Sequence, residues 1–368
     1  MRKAHIHPSI LWLLLSPVSN AHEINVQLVV QIGMHGILQH GEYSNAADED
    51  GSKLDNKTRI AAMFDLVVDY TPTARDEFYL WVRYARGNLL NNVRGNAPAP
   101  YGGELEDDVT DINERGRDYL MEAWYKHAFE FESSSLGLTA GLVDSTNYID
   151  GNEYANNEET QFMNEAFVYS TNPALPSFDI GSVAEFEGGD WSVRGLYMNT
   201  RFENDAYNYF AAQIGYHPET RLGPGNYRIF AFTTDNNFTN ASGRDERLQG
   251  VGLSFDQELN DIFGVFIRTG WINDNVDPPY DLIVTGGTNI RGKPWGRPQD
   301  NIGFALGYLS GADTADARSI QVAEGYVRFV LTDNADLSFD VQYEKDKLRG
   351  SGEDPSAIIL GTRLNVVF

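Results

Sequence analysis

The last eleven residues of the chain fall into two rows of alternate positions. Ile358, Leu360, Leu364 and Phe368 share the more apolar row, and Arg363 lies in the other. Successive side chains of a β-strand point to opposite faces, so this segment predicts a strand with one apolar face and one charged face. Strands of outer-membrane barrels have this pattern, with apolar residues towards lipid and polar residues towards the lumen. A soluble β-sandwich can end in the same way, so the other segments must decide.

Alternating segments of about 10 residues, the length expected of barrel strands, recur along the chain. Their number is even, which places both termini on the periplasmic side. The pattern predicts an all-β fold: a 16-stranded antiparallel transmembrane β-barrel with long outer loops and an inward-folded third loop. The predicted strands lie near residues 24–35, 58–70, 76–87, 118–131, 136–144, 177–187, 191–203, 207–217, 226–235, 247–257, 261–272, 280–290, 299–309, 321–332, 334–344 and 358–368.

The connections between these strands are short on one side and long on the other, as expected of a barrel with short periplasmic turns. The segment 145–176 contains a stretch, 162–169, that could be a strand by propensity, but counting it would give an odd number. We therefore interpret 145–176 as the third outer loop, and its apolar content predicts that it folds onto the lumen wall. The long outer segments are 36–57, 88–117, 145–176 and 236–246.

Residues 1–21 have the features of a secretory signal peptide, which leaves 22–368 as a single barrel domain. Arg2 and Lys3 precede a short apolar run from Ile10 to Leu15, and small residues follow at 19–21. The chain has no cysteine, which suits a protein that crosses an oxidising periplasm unfolded. We expect a location in the bacterial outer membrane.

Composition and charge limit the classes of function that the chain can have. The mean hydropathy is −0.39, which is compatible with a barrel because half of each strand and all loops are wet. The formal net charge of −25 argues against binding of nucleic acid, whose phosphates need Lys and Arg. It is compatible with passage of neutral or cationic solutes. The acid-rich segment from Glu104 to Asp118 predicts a solvated, cation-attracting rim.

No catalytic constellation is visible, and we expect no enzyme activity, cofactor or metal. The seven histidines show no ligand spacing, and the common hydrolase, P-loop and zinc-protease motifs are absent from the sequence.

Charged and aromatic side chains on lumen parity are candidates for lining a pore, because guanidinium and carboxylate groups hydrogen-bond sugar hydroxyls and aromatic faces stack on sugar rings. The alternative is that such charges pair across strands and only brace the wall. Parity also assigns Met121 to the lipid face. The strand candidates are Trp81, Arg83, Glu122, Trp124, Lys126, Arg194, Arg268 and Arg363, and the third-loop candidates are Tyr148, Glu158, Glu159 and Phe162.

Four segments carry a family resemblance: 253–275, 293–310, 337–346 and 361–368. They contain a Phe-x-Arg-x-Gly-Trp strand, a Trp-Gly-Arg-Pro-x-Asp motif before a glycine-rich strand, and an acidic-x-Gln-Tyr strand near the end. The chain resembles the OprB family of carbohydrate-selective porins. An Arg–Asp pair in the second motif is expected to pin a periplasmic hairpin, with proline ending the ladder. The motif residues are Trp295, Gly296, Arg297, Pro298 and Asp300.

The resemblance implies a porin that passes small sugars or similar neutral solutes by diffusion. Three alternatives stay open: a general cation-preferring pore, a barrel that exports or sheathes a partner protein, and a soluble acidic β-protein. Expected partners are the solute, outer-membrane lipid with lipopolysaccharide, and assembly machinery that reads Phe368, while a homotrimer is left open.

Overall fold

The computed structural model describes residues 26–47, 52–93, 98–172, 174–202, 205–240, 242–273, 278–350 and 352–368; the proposed signal segment lies outside them. Within these ranges, sixteen antiparallel strands close into one barrel, as predicted. The strands are β1 (Gln27–Ser44), β2 (Lys57–Thr71), β3 (Asp76–Arg86), β4 (Leu120–Glu130), β5 (Ser134–Val143), β6 (Asp179–Gly188), β7 (Trp191–Phe202), β8 (Asp205–Tyr216), β9 (Gly225–Thr234), β10 (Gln249–Glu258), β11 (Phe263–Ile272), β12 (Leu282–Arg291), β13 (Asn301–Ser310), β14 (Ala317–Thr332), β15 (Ala335–Leu348) and β16 (Ser356–Val367).

Smaller elements lie in the connections. A two-stranded hairpin pairs Phe238–Thr239 with Asp245–Glu246 between β9 and β10. One short α-helix, Glu165–Val168, and three-residue 3-10 helices at Ile112–Glu114, Ser145–Asn147 and Lys293–Trp295 are the helical elements of the described ranges. None of the helices in these ranges has the length and apolar character needed to cross a membrane.

The outer wall is apolar and the inner wall is mixed, as the alternation of side chains predicts. In β16, Ile358 and Leu360 are exposed, whereas Ile359 and Arg363 are buried. Exposed aromatic rings pair across neighbouring strands of the outer wall. Phe78 and Tyr125 on neighbouring strands have ring centroids 4.9 Å apart.

The first and last strands close the barrel. β1 pairs with β16 from Gly33–Val367 to Ser44–Ser356. Beyond this register, the backbone N–H of Phe368 donates to the carbonyl of Ile32 at 2.9 Å. The carboxy-terminal residue therefore takes part in closure, which leaves no sheet edge open in lipid.

The first strand is longer than predicted: it reaches Ser44, whereas the sequence pattern suggested an end near residue 35. The pattern fails there because apolar and polar residues occur on both faces. Ile37 and Tyr43 are buried against loop residues such as Leu89 and Leu54. The inward face also contains Gln39, and the outward face contains His40 and Glu42 next to Leu38, so the period of two is hidden.

The lipid-face assignment of Met121 is wrong because β4 contains a bulge. Trp81 pairs with Glu122, but the next residue, Val82, pairs with Leu120, so Met121 is the extra residue. A bulge changes the face on which the following side chains lie. Met121 is fully buried among lumen-side apolar residues.

The third loop, residues 144–178 between β5 and β6, folds into the barrel as predicted. Arg268 on β11 donates from its two Nη atoms to the carbonyls of Phe167 at 3.1 Å and Asp150 at 2.9 Å. Its Nε lies 3.1 Å from the Asp150 carboxylate. Arg268 is 1% exposed. Its guanidinium therefore supplies these loop carbonyls with the hydrogen-bond donors that water would otherwise provide.

Further wall residues hold the loop from the other side. Arg363 on β16 donates to the carbonyls of Glu158 and, at 3.2 Å, Gln161. The Glu324 carboxylate on β14 accepts from the backbone N–H groups of Met163 and Asn164. The loop backbone is thus fixed by charged side chains of strands that are far apart in sequence.

Apolar packing places the loop against one part of the wall. Phe162 contacts Phe266 and Tyr326, with ring centroids 5.8 and 5.0 Å away. Tyr148 lies in a second buried cluster with residues of β6 to β9. The loop therefore fills the β6–β15 side of the lumen and leaves free space next to β1–β4.

The second loop, residues 87–119, also folds inward, which the sequence analysis did not anticipate. Leu105 and Val109 are fully buried, and the carbonyl of Pro100 accepts from the amides of Gln39 and Gln342, both at 2.9 Å. Only part of the acid-rich segment therefore forms an exposed rim.

Replacement of Arg268 by Ala should loosen the third loop. Loss of the guanidinium leaves the buried Asp150 carboxylate unpaired, a change that costs about 3–5 kcal/mol in buried pairs. We expect a larger and noisier single-channel conductance from a barrel that still shifts on unboiled gels. Arg221→Ala, at an exposed residue of a short turn, is the matched control. Conductance equal to wild type in folded Arg268→Ala would contradict this anchoring role.

Candidate functional site

Three cavities follow one another through the lumen. The outer cavity has a volume of about 560 Å³, the middle one about 300 Å³, and the inner one about 530 Å³. The outer and middle cavities share Gly102 and Glu104 among their lining residues, and the middle and inner cavities share Asn157 and Glu159. The cavities are therefore adjacent along one path, and the middle cavity, which has the smallest volume of the three, is referred to as the constriction.

The constriction lies between the wall of β1–β4 and the tip of the third loop. Alternate inward positions of β1, β2 and β3 supply its strand side chains, because one row of each strand faces the lumen. Gly33 keeps this wall open, since a Cβ there would lie 2.8 Å from Nε2 of His35 and 3.3 Å from Cβ of Asp65. The strand residues that line it include Gln31, Gly33, His35, Asp65, Val67, Tyr79, Trp81, Arg83 and Glu122, and the loop supplies Asn156, Asn157, Glu158, Glu159 and Thr160.

Arg83 is the central cation of the constriction. Its Nε and Nη2 atoms donate to the two oxygens of the Asp65 carboxylate at 2.8 and 2.9 Å, a bidentate pair. Nη2 also contacts Glu159, and Nη1 lies 3.3 Å from Glu104. The guanidinium carbon lies 4.8 Å from the ring centroid of Trp81. Arg83 thus joins the strand wall to both inward loops.

His35 adds a second cationic group. Asn365 donates from its Nδ2 to Asp336, so its Oδ1 is the atom that faces Nδ1 of His35, at 2.9 Å. Nε2 of His35 lies 3.0 Å from Asp65 and 3.7 Å from Glu159. Both ring nitrogens therefore face oxygen acceptors, which requires the doubly protonated imidazolium.

Three side chains of this cluster carry atoms of the kind that bind metal ions. Ligand atoms of His35, Asp65 and Glu159 lie within 4.8 Å of one another. However, Arg83 already binds both carboxylates, and its charge repels a cation placed between them. The cluster is therefore organised around the guanidinium.

Aromatic side chains form one side of the path. Tyr79 and Trp81 line the constriction, and Tyr79 stacks on Trp124 with ring centroids 4.9 Å apart and an interplanar angle of 15°. The indole Nε1 of Trp124 donates to Glu122 at 3.1 Å. These contacts fix the ring planes of Tyr79 and Trp124.

Two loop carboxyl groups of the constriction titrate in an unusual range. Burial, together with the neighbouring Glu159, raises the pKa of the Glu158 carboxyl to about 7. Burial raises the pKa of Glu104 well above its usual value, and Glu158 adds to this shift. The charge of the constriction therefore changes near neutral pH.

The structure divides the sequence candidates into two groups. Trp81, Arg83, Glu122, Glu158 and Glu159 line the constriction, and Trp124 supports it from behind. The others are turned away from the path. Arg268 and Arg363 bind the third loop, Arg194 donates to the carbonyl of Tyr148, Lys126 pairs with Glu185, and Tyr148 and Phe162 are packed in apolar clusters.

Several residues of the constriction were missed by the sequence analysis, and four of them surround Arg83 and Trp81. His35, Asp65 and Tyr79 lie at inward positions of their strands, so strand parity alone could have identified them. Glu104 had no such signal, because its position depends on how the second loop enters the barrel.

The Trp-Gly-Arg-Pro-x-Asp motif lies at a turn far from the constriction, between β12 and β13. Arg297 pairs with Asp300 and donates to the carbonyl of Val330 at 2.8 Å. Asp300 accepts from the Val330 N–H at 2.9 Å. Gly296 has φ of +75°, which favours glycine, while Trp295 and Pro298 are exposed. The motif clamps this turn to β14.

Comparison with known proteins identifies relatives of this barrel. The family model described as carbohydrate-selective porin, OprB family, matches residues 96–368. An uncharacterised protein of Aquifex aeolicus is 28% identical over 287 residues, which cover 77% of this chain and 80% of that protein.

Solved structures share the fold. The high-pH structure of Pseudomonas putida OprB has a TM-score of 0.72 at 16% identity and covers 93% of this chain and 94% of that one. Pseudomonas aeruginosa OccK2 in complex with glucuronate has a TM-score of 0.52 at 10% identity, with 93% and 98% covered. The family match spans most of the chain, and the barrel, the inward third loop and the continuous path agree with it: the chain belongs to the OprB family of carbohydrate-selective porins and is a porin of the bacterial outer membrane.

Proposed function

We propose that this porin lets small sugars and similar hydroxyl-rich solutes diffuse through the constriction between the third loop and β1–β4. The observation that carries the proposal is the lining of that constriction. Amides, hydroxyls and carboxylates surround a space of about 300 Å³, with Tyr79 and Trp81 on one side. Such groups hydrogen-bond sugar hydroxyls, and the apolar face of a pyranose packs on aromatic rings.

A general cation-preferring pore is the second candidate, and the acidic character of the lining favours it. The two candidates differ in what they require of the solute. A cation pore needs only charge, whereas a sugar channel binds an uncharged ring during passage. Block of ion current by a neutral sugar therefore separates them.

Glucose should reduce the single-channel current in a saturable manner, and Trp81→Ala should weaken this block. Loss of the stacking face should raise the apparent Kd by roughly fivefold, the factor that corresponds to about 1 kcal/mol. Trp191→Ala, at a lipid-facing tryptophan that is 54% exposed, is the matched control. If glucose leaves the current of the wild-type channel unchanged, the sugar assignment fails.

Arg83→Gln should increase the preference of the pore for cations. The amide of Gln can still donate to Asp65, but the positive charge is lost from the constriction. One unit charge about 8 Å from an ion, at an effective dielectric constant of about 40, contributes about 1 kcal/mol, so the K⁺/Cl⁻ permeability ratio should rise by roughly fivefold.

Reversal potentials in a KCl gradient measure this ratio. Arg83→Lys retains the charge and Arg221→Ala removes one away from the path, so both should match wild type. A ratio in folded Arg83→Gln equal to wild type would mean that Arg83 only braces the wall.

A further inference from the structure

Carboxylates outnumber cationic groups at each level of the path. Among the described residues, the outer cavity is lined by Arg201 and six acidic residues. The constriction is lined by Arg83, His35 and six acidic residues. The inner cavity is lined by Arg328 and four acidic residues. The acidic residues are Glu104, Asp107, Asp108, Asp111, Glu114 and Glu165 outside, Asp65, Glu104, Glu122, Asp144, Glu158 and Glu159 in the constriction, and Glu153, Glu159, Asp333 and Asp336 inside.

The two cations of the constriction do not balance its carboxylates. Arg83 and His35 both pair with Asp65 and Glu159. The side-chain donors described for Glu122 are the neutral groups of Trp124 and Asn147. The surplus carboxyl groups, which have no cationic partner among the described contacts, therefore include Glu122, on the side of the path next to β4 and the start of the third loop.

The contacts of Asp144 are neutral as well. Its oxygens accept from the N–H and hydroxyl of Thr146 and from the hydroxyl of Ser177. Neutral donors satisfy the geometry of this carboxyl group without a counter-charge, and burial raises the pKa of Asp144. A cationic group of a solute would favour its ionised form. Acidic rings of this kind concentrate cations in channels.

The same space also offers partners for hydroxyl groups. Asn147, Asn156 and Asn157 line it, and amides both donate and accept. Tyr79 and Trp81 provide a flat apolar surface next to these groups. A solute that contacts the carboxylates, the amides and the aromatic rings together needs a hydroxylated ring and a positive charge.

We propose that the preferred solutes are amino sugars, pyranoses that carry a protonated amine, and that anionic sugars are excluded. This inference rests on the proposed function, because it assigns a substrate class to the same constriction. The ammonium group binds the surplus carboxylates near Glu122 and Asp144, while the ring lies against Tyr79 and Trp81.

The test compares four solutes of similar size as blockers of single-channel current at pH 7: glucosamine, glucose, glucuronate and cyclohexylammonium. Glucosamine should bind roughly tenfold more tightly than glucose, the factor given by about 1.4 kcal/mol from a charge-assisted hydrogen bond. Glucuronate should bind more weakly than glucose. Cyclohexylammonium, which has the charge without the hydroxyls, should bind more weakly than glucosamine.

Each other outcome has its own meaning. Equal affinity for glucosamine and glucose overturns the amino-sugar inference and leaves the sugar channel standing. Equal affinity for cyclohexylammonium and glucosamine also overturns it, because charge alone is then selected. If none of the three sugars blocks the current, the proposed function is overturned as well. Glu122→Gln retains an acceptor for Trp124 and Asn147 and should reduce the advantage of glucosamine over glucose. Asp190→Asn, at an exposed turn residue, should preserve it. An unchanged advantage in folded Glu122→Gln counts against the inference.

The pH dependence of ion selectivity provides a check that needs no sugar. With a pKa of about 7, the Glu158 carboxyl is neutral below this pH and negative above it. The K⁺/Cl⁻ permeability ratio of the wild type should therefore rise between about pH 6 and pH 8, and Glu158→Gln should flatten this rise. If the permeability ratio of the wild type does not change with pH, the inferred distribution of charge in the constriction is wrong. The titratable and charged groups that face Glu158 are Glu159, Arg83, Arg363, Glu104 and Tyr101.

Discussion

The narrow path depends on hydrogen bonds between buried arginine side chains and backbone carbonyls of the third loop. A non-helical segment at membrane depth must have its polar groups satisfied by protein or by water in a cavity. Arg268 and Arg363 supply donors to four positions of the loop, and Glu324 supplies the complementary acceptor. Without these contacts, the loop could not remain inside the barrel, and the lumen would lack a constriction.

Buried arginines have two distinct roles in this acidic chain. Arg268 and Arg363 are almost fully buried and bind mainly carbonyl dipoles, so they hold the loop and do not face the solute. Arg83 is equally buried, yet its partners are carboxylates that line the path. The planar guanidinium suits both tasks, because it presents several donors in a fixed geometry.

Strand parity predicted the barrel and its strand number, because both depend on a local period of two, and the apolar content of the third loop predicted that it folds inward. It failed where the position of a residue depends on a bulge or on contacts between distant segments, which a local period does not encode. Met121 changes face through a single extra residue in β4. The second loop enters the lumen because Gln39 and Gln342 bind the carbonyl of Pro100, a contact between distant segments.

In the candidate site, too, strand parity predicted some features, whereas long-range packing determined the others. Parity placed Arg83 and Arg268 on the lumen side alike, and only the course of the third loop separates a residue on the path from one behind it. Likewise, Glu158 and Glu159 were recognised as loop carboxylates, whereas their meeting with Asp65 and His35 depends on long-range packing.

Because the third loop lies off-centre in the barrel, the two sides of the wall have different roles. At the level of the constriction, residues of β1–β4 meet the solute, whereas the wall from β6 to β14 meets mostly the loop, whose packing it must preserve. Selectivity can therefore be redesigned on a few neighbouring strands while the opposite wall is kept as an unchanged scaffold.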